Sequence, residues 1–221
     1  MFTKAKQHRR LRAIVGLLIL CLISLAGSAF TAPQPKIILF LGDSITAGYG
    51  LDPSQAYPAL IQEKIDAKRW QFKVVNAGQS GDTSAGGLSR MDWLLRSPVD
   101  VLVLELGGND GLRGLPVETT KKNLQAIVDR TRAKYPAAKI VLAGMIVPPN
   151  MGRDYGQKFE AIFRDIAKKN QAALIPFVLE GVGGVRDLNL SDGIHPSARG
   201  QEIVAANVWK VLEPILRSLA K

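Results

Sequence analysis

Three side chains in this sequence could together carry out nucleophilic catalysis: Ser44, Asp192 and His195. A serine hydroxyl is a poor nucleophile until a base accepts its proton. His8 and His195 are the only histidines, and His8 lies in the leader described below, so His195 is the only candidate imidazole base. Asp192, three residues earlier, could orient that imidazole and stabilise its protonated form. The residues alone leave a plainer alternative open, in which Ser44 caps a helix and His195 is an ordinary loop residue.

An acyl-transfer reaction also needs hydrogen-bond donors for the negative oxygen that develops in its transition state. The candidates are the backbone N–H groups of Ser44 and Gly81 and the side-chain amide of Asn109. Two of them have plainer alternatives, because Gly81 could supply an unusual backbone angle and Asn109 could bond its own turn. Three aspartates beside glycines are interpreted as turn and network residues rather than as acids, namely Asp43, Asp82 and Asp110.

Composition excludes several other chemistries. Cys21 is the only cysteine and also lies in the leader, so the rest of the chain has no thiol for a nucleophile, a disulfide or a Cys/His zinc site. The chain carries 29 basic and 19 acidic residues, but five basic and no acidic residues fall within residues 1–12. The remainder is mildly basic and has no basic stripe interleaved with aromatic residues. We therefore expect no nucleic-acid partner, while weak contact with an anionic membrane surface stays open.

The first 29 residues have the pattern of a secretory signal peptide. Residues 1–12 are basic, residues 13–26 (AIVGLLILCLISLA) are uncharged, and small residues follow at 27–29. The uncharged run is short for a membrane span, which needs about 20 residues. We predict cleavage after Ser28 or Ala29, export to the periplasm or the medium, and a single domain at residues 30–221. An uncleaved membrane anchor is the alternative.

Strands and helices alternate along the rest of the chain. Apolar stretches predict buried strands at residues 36–41, 72–75, 99–106, 139–145 and 173–177. Helical spacing of apolar residues predicts helices at 54–69, 117–134, 155–170 and 197–219. This alternation indicates a parallel sheet covered on both faces. Four polar clusters each follow a strand, at residues 42–44, 80–82, 107–110 and 192–196. Because the carboxyl ends of parallel strands meet at one edge, we expect these clusters to converge there.

The same four clusters resemble the sequence blocks of the SGNH, or GDSL, hydrolase family. The matching residues are GDS at 42–44, Gly81, GGND at 107–110 and DGIHP at 192–196, in the order of the family blocks. They span nearly the whole chain after the leader. The longer strings VVNAGQSGDTS and ELGGNDGLRG resemble the bacterial subgroup of periplasmic thioesterases, lysophospholipases and arylesterases.

The resemblance implies an α/β fold: a three-layer α/β/α arrangement with a flavodoxin-like, five-stranded parallel sheet, and no metal or cofactor. It implies Ser44 as the nucleophile, Asp192 and His195 as its partners, and Ser44, Gly81 and Asn109 as the oxyanion donors. By the same analogy, loops at 111–116 and 146–156 line the acyl site. The residues expected to contact substrate are Gly111, Leu112, Pro148, Pro149, Asn150 and Met151.

The combined prediction is a monomeric esterase that transfers an acyl group to water through an acyl-enzyme on Ser44. The expected substrates are small acyl esters, thioesters or lysophospholipids. Two alternatives stay open: an acyltransferase that uses the same residues, and a non-catalytic binding domain on the same fold. Phosphoryl binding by the GDS motif is disfavoured, because the glycine-rich loop with a lysine that it requires is absent.

Overall fold

The computed structural model describes residues 34–220, which are organised around one parallel β-sheet. Its strands are β1 (Lys36–Gly42), β2 (Phe72–Gly78), β3 (Val101–Glu105), β4 (Lys139–Ala143) and β5 (Ala173–Ile175). They lie in the order β2-β1-β3-β4-β5, and every neighbouring pair is parallel. β3 is buried along its whole length, as expected of a strand covered on both faces. This is the flavodoxin order, in which a crevice opens between β1 and β3.

Helices cover both faces of the sheet. The described residues form the α-helices α1 (Ser44–Ala47), α2 (Tyr57–Ala67), α3 (Ser84–Leu94), α4 (Gly108–Leu112), α5 (Val117–Lys134), α6 (Arg153–Asn170) and α7 (Ala198–Leu219). Short 3₁₀ turns lie at Pro53–Gln55, Pro149–Met151 and Arg186–Leu188. α5 packs between α3 and α6 in one layer, and α2 packs with α7 in the other. The predicted three-layer α/β/α fold is therefore confirmed.

The long helices follow the apolar spacing that predicts them. In α6 the buried residues Phe159, Ile162, Phe163 and Ile166 recur at the three- and four-residue spacing of one helix face. In α7 a buried side chain recurs every four residues from Val204 to Leu216. These faces meet the sheet and enclose the core, so the positions of the loops at the strand ends are fixed by packing.

Proline divides or shortens two predicted elements. The helix predicted at 54–69 is a 3₁₀ turn at Pro53–Gln55 followed by α2, with Ala56 extended between them at a ψ of 140°. A helix that continued through this point would need Pro58 to donate an N–H to the Ser54 carbonyl, which proline cannot do, whereas in the first turn of α2 the missing N–H is tolerated. β5 ends at Ile175 rather than at 177, because Pro176 has no N–H with which to continue the ladder.

The sequence pattern does not predict α3, which follows β2. Gly86 and Gly87 weaken its intrinsic helix propensity. Tertiary contacts compensate: the Thr83 hydroxyl accepts the Gly86 N–H at 3.3 Å and caps the helix. A Cβ at Gly87 would lie 2.2 Å from Leu106 Cδ1, so this glycine allows α3 to approach the end of β3. Here packing overrides local preference.

The predicted signal peptide, residues 1–29, lies outside the described residues and stays a prediction, as does the 30–221 domain boundary. Within residues 34–220, no helix has the length and apolar character that a membrane crossing requires.

Candidate active site

Ser44 lies at the carboxyl end of β1, where the chain turns into the short helix α1. Asp43 caps this helix, because its Oδ1 accepts the N–H of Ile45 at 3.0 Å. Ser44 is the first residue of α1, and only 8% of it is exposed. The interpretation of Ser44 as the helix cap is therefore wrong, and its hydroxyl is available for another role.

His195 reaches Ser44 from the turn that precedes α7, although the two residues lie 151 positions apart in the chain. The Nε2 atom of His195 is 2.9 Å from Ser44 Oγ, and its Nδ1 atom is 2.7 Å from Asp192 Oδ2. One hydrogen-bonded chain thus joins a hydroxyl, an imidazole and a carboxylate. This is the arrangement by which a base can activate a serine while a third group fixes the imidazole tautomer.

The turn that carries Asp192 and His195 is held by its own hydrogen bonds. Asp192 Oδ1 accepts the N–H groups of Ile194 at 2.9 Å and His195 at 3.0 Å, and the Leu190 N–H donates to the His195 carbonyl at 2.7 Å. The N–H of His195, then its imidazole and the N–H of Ile194, lower the pKa of Asp192 from 3.8 to about 2. The carboxylate beside the imidazole is therefore charged at any pH well above 2.

Asn109 lies at the carboxyl end of β3, in α4, and its side chain reaches towards β1. Its Nδ2 atom donates to Asp43 Oδ2 at 3.2 Å and to the Asp82 carbonyl at 3.0 Å. The amide nitrogen thus joins two other segments instead of bonding its own turn. Because both of its hydrogens are engaged, donation to a substrate oxygen requires one of these bonds to be exchanged.

Gly81 adopts a φ of +82°, so the conformational reason for a glycine here is real. A Cβ at this position would meet nothing within 4 Å, and the residue is exposed. Its carbonyl accepts the Arg113 Nη2 at 3.1 Å. Among the described residues, the N–H groups of Ser44 and Gly81 donate to no other group. A role for Gly81 as a donor is thus compatible with its conformational role.

Asp82 and Asp110 are network residues, as the sequence predicts. Asp82 pairs with Arg90 at 2.7 Å, and Asp110 Oδ2 accepts the N–H of Ser84 at 2.7 Å, which anchors the start of α3. Each of these two carboxylates thus binds its own partners. Across residues 34–220, no group of three or more His, Cys, Asp or Glu side chains is arranged to hold a metal ion.

A fully buried carboxyl group, that of Glu105 at the end of β3, contacts the Ser44 turn. Its Oε2 accepts the Thr46 hydroxyl at 2.6 Å and the Asp43 N–H at 3.3 Å. A Cβ on Gly42 would come within 2.6 Å of this oxygen, so the first residue of the GDS motif must be small. The four polar clusters of the sequence do not include Glu105. Its signal was a charged residue that ends an apolar strand (VLVLE), where a buried position demands a partner.

Both carboxyl groups of the Asp43–Glu105 pair are harder to ionise than usual. Burial raises the pKa of Asp43 from 3.8 to about 6. Burial, followed by the charge of Asp43, raises the pKa of Glu105 well above its ordinary value. Within the described chain, neither group forms an ion pair with a lysine or an arginine. The fold therefore disfavours charge on both carboxyl groups, and on Glu105 through burial first and then through the charge of Asp43.

We expect the free energy of unfolding to fall less steeply with rising pH in Glu105→Gln than in the parent protein. A folded-state pKa above the unfolded value means that the folded protein keeps its proton longer, so stability falls as pH rises through that interval. For Asp43 the interval runs from 3.8 to about 6, and for Glu105 it begins at 4.5 and ends well above that value. Glutamine keeps an oxygen for the Thr46 hydroxyl and never ionises. In urea titrations the free energy of unfolding should therefore fall less in Glu105→Gln than in the parent protein as pH rises above 4.5, the ordinary pKa of a glutamate.

Glu63→Gln is the matched control, because Glu63 is exposed on α2. We expect its unfolding free energy to stay within about 0.5 kcal/mol of the parent at each pH. A free energy of unfolding that fell as steeply with pH in Glu105→Gln as in the parent would show that titration of Glu105 is not the source of the pH dependence.

The two loops predicted to bind substrate pack against each other. A Cβ at Gly111 would lie 2.4 Å from Val147 Cγ1, and one at Gly114 would lie 3.4 Å from Met151 Cε. The small residues of the first loop thus allow the second to approach. The contact of these loops with substrate stays a prediction. Of the six residues concerned, Gly111 is buried, Met151 is half-buried, and the others are exposed: Leu112, Pro148, Pro149 and Asn150.

Comparison with known proteins agrees with the fold and with the position of the motifs. Residues 40–203 match the GDSL-like lipase/acylhydrolase family. The chain is 44% identical over 182 residues to the esterase TesA of Pseudomonas aeruginosa, which covers 82% of this chain and 90% of TesA. It is 41% identical over 191 residues to thioesterase 1/protease 1/lysophospholipase L1 of Escherichia coli, which covers 85% of this chain and 88% of that protein.

A solved structure extends the likeness to three dimensions. The crystal structure of the psychrotrophic esterase EstA from Pseudoalteromonas sp., inhibited by monoethylphosphonate, matches with a TM-score of 0.77 at 34% identity. The match covers 82% of this chain and 99% of EstA. The family match begins within β1, at residue 40, and extends past the turn that carries His195, so it contains every residue of the hydrogen-bonded chain at Ser44. This protein belongs to the GDSL-like lipase/acylhydrolase family.

Proposed function

We propose that this protein is a serine hydrolase that cleaves carboxylic ester and thioester bonds, with Ser44, His195 and Asp192 as its catalytic residues. The observation that carries the proposal is the continuous hydrogen-bonded chain from Ser44 Oγ through His195 to Asp192, with distances of 2.9 and 2.7 Å. Serine is activated in this way when an imidazole accepts its proton and a carboxylate stabilises the imidazolium that forms. Family membership supports the same reaction class.

The reaction proceeds in two acyl transfers. His195 Nε2 takes the Ser44 proton as Oγ attacks the acyl carbonyl, and the same proton then passes to the departing oxygen or sulfur. The C–O or C–S bond of the substrate breaks, which leaves the acyl group on Ser44. Water, deprotonated by His195, attacks this intermediate and releases the carboxylic acid. Asp192 stays charged throughout, since its pKa is about 2.

The donors proposed for the developing oxyanion are the N–H groups of Ser44 and Gly81 and the side-chain amide of Asn109. Asn109 holds two bonds, at 3.2 Å to Asp43 and at 3.0 Å to the Asp82 carbonyl. We propose that the longer bond is exchanged for the substrate oxygen, because the Asp82 bond keeps the amide in place. The anionic acceptor gained in the transition state strengthens that new bond, which is the differential binding that catalysis requires.

We propose small acyl esters, thioesters and lysophospholipids as substrates, bound between the loops at 111–116 and 146–156. The relatives, an esterase and a thioesterase/protease/lysophospholipase by name, support this range of leaving groups. The basic, then apolar, leader at residues 1–29 supports export to the periplasm or medium. The mildly basic composition supports weak contact with an anionic membrane surface.

A fluorophosphonate probe tests this proposal directly, because it phosphonylates only serines that are activated as nucleophiles. We expect one adduct per chain by intact mass, located on the peptide that contains Ser44, and parallel loss of p-nitrophenyl acetate hydrolysis. Heat-unfolded protein, in which His195 no longer reaches Ser44, should not be labelled. A folded protein that neither reacts nor hydrolyses the ester would support the binding-domain alternative instead.

A further inference from the structure

We propose that Tyr49 forms a leaving-group subsite that favours flat aromatic leaving groups over small alkyl ones; this rests on the serine-hydrolase function proposed above. The ring of Tyr49 lies against the imidazole of His195, with 4.4 Å between the ring centroids and 37° between their planes. Half of Tyr49 is nevertheless exposed. A large aromatic side chain therefore lies beside the proposed base and still offers free surface to a bound molecule.

The backbone holds Tyr49 in a fixed relation to the nucleophile. Its N–H donates to the Ser44 carbonyl at 3.0 Å, at the end of α1. Glycines flank it on both sides, with φ values of +73° at Gly48 and +77° at Gly50, which few other residues adopt. A Cβ on Gly48 would lie 2.6 Å from Ala56 Cβ, so the turn is also packed from outside. A contact surface that is positioned before substrate arrives binds with a smaller entropic loss.

The chemistry of acylation brings the leaving group to this ring. His195 Nε2 must donate its proton to the departing atom, which therefore comes within about 3 Å of Nε2. A substituent on that atom lies within reach of a ring whose centroid is 4.4 Å from the imidazole centroid. Aromatic rings attract one another at centroid distances of about 4.5–7 Å. A phenyl or naphthyl group can make this contact, whereas a small alkyl group presents little surface to it. Ile194, also half-exposed, adds apolar surface on the same turn as His195.

Another exposed aromatic residue provides a comparison. Trp93, near the end of α3, is more exposed than Tyr49, and it borders a groove with Ile37 and Pro98. Ile37 is the second residue of β1, so this groove lies at the opposite end of the strand from Ser44. Exposure alone therefore does not distinguish Tyr49; its contact with His195 does.

The test compares two acetate esters, 2-naphthyl acetate and 2,2,2-trifluoroethyl acetate, by their kcat/KM values in the parent, Tyr49→Ala, Tyr49→Phe and Trp93→Ala. Both esters carry the same acetyl group, and kcat/KM covers only binding and acylation, the steps in which the leaving group is still attached. We expect the naphthyl-to-trifluoroethyl ratio to fall about 3- to 10-fold in Tyr49→Ala, the range that an aromatic contact supplies. The ratio should stay within about twofold of the parent in Tyr49→Phe and Trp93→Ala.

The selectivity ratio separates substrate binding from support of the imidazole. If Tyr49 only positioned His195, Tyr49→Ala would slow both esters by the same factor, and an unchanged ratio would overturn the proposal. A ratio that also fell in Tyr49→Phe would overturn it, because that variant keeps the aromatic ring. A ratio that also fell in Trp93→Ala would overturn it as well, because Trp93 lies at the other end of the strand from Ser44. Failure of the serine-hydrolase function is distinguishable, since the parent protein would then cleave neither ester.

Discussion

Ser44→Ala should reduce ester hydrolysis by about 10⁶-fold, to a rate near the background, while the fold persists. Without Oγ, the His195 Nε2 that lies 2.9 Å away has no hydroxyl to deprotonate, and no acyl-enzyme can form. The fold should tolerate the change because Asp43, and not Ser44, caps α1. Alanine is also a good helix former at the position that Ser44 occupies. Release of p-nitrophenol from its acetate ester measures the activity, and circular dichroism with thermal unfolding measures the fold.

Ser89→Ala is the matched control for this substitution. Ser89 is an exposed helical serine in α3, and its hydroxyl donates only to the Gly86 carbonyl, at 2.7 Å. We expect this variant to keep parental activity and stability. Substantial hydrolysis by folded Ser44→Ala would falsify the assignment of Ser44 as the nucleophile, and equal losses in both serine variants would point to a general effect of substitution.

The layered fold could be predicted because its signals are local. A buried parallel strand such as β1 is continuously apolar, and an amphipathic helix such as α6 shows its apolar face at helical spacing. The rule that parallel strands end at one edge then brought the motif residues together in the prediction. Element ends were less predictable, because they depend on proline chemistry and packing. Gly87 in α3 illustrates this: it weakens the helix locally, and only its approach to Leu106 explains its presence.

The site was predictable in its residue types but not in its supporting contacts. Ser44 and His195 follow from the scarcity of histidine and from the motifs. In contrast, the engagement of both Asn109 amide hydrogens depends on how two loops meet in space. The same is true of the buried Glu105 beside the Ser44 turn and of Tyr49 against His195. Each of these contacts joins segments that no periodicity or spacing rule relates, so only coordinates reveal them.

Asp192→Asn should lower kcat about 10³- to 10⁴-fold while substrate binding and fold change little. The carboxylate accepts three hydrogen bonds: from the imidazole at 2.7 Å, from the Ile194 N–H at 2.9 Å and from the His195 N–H at 3.0 Å. Asparagine has one acceptor oxygen. If that oxygen keeps the two backbone donors, its NH₂ group faces Nδ1, which must then become an acceptor. The imidazole proton moves to Nε2, where it blocks acceptance of the Ser44 proton.

The pH dependence of this loss distinguishes a tautomer effect from a simple loss of charge. Because the pKa of Asp192 is about 2, the parent carboxylate stays ionised across the working range, and titration of Asp192 contributes nothing to the activity profile above about pH 4. In Asp192→Asn the defect should accordingly be nearly constant from about pH 6 to about pH 9, since no proton loss in that interval restores an acceptor for an Nδ1–H group. The matched control is Asp187→Asn, which changes an exposed aspartate five residues earlier and should behave as the parent.

Parental kcat in folded Asp192→Asn would mean that Ser44 and His195 act without an orienting carboxylate. Since Nδ1 donates to Asp192 at 2.7 Å in the folded protein, we expect the imidazole to depend on it.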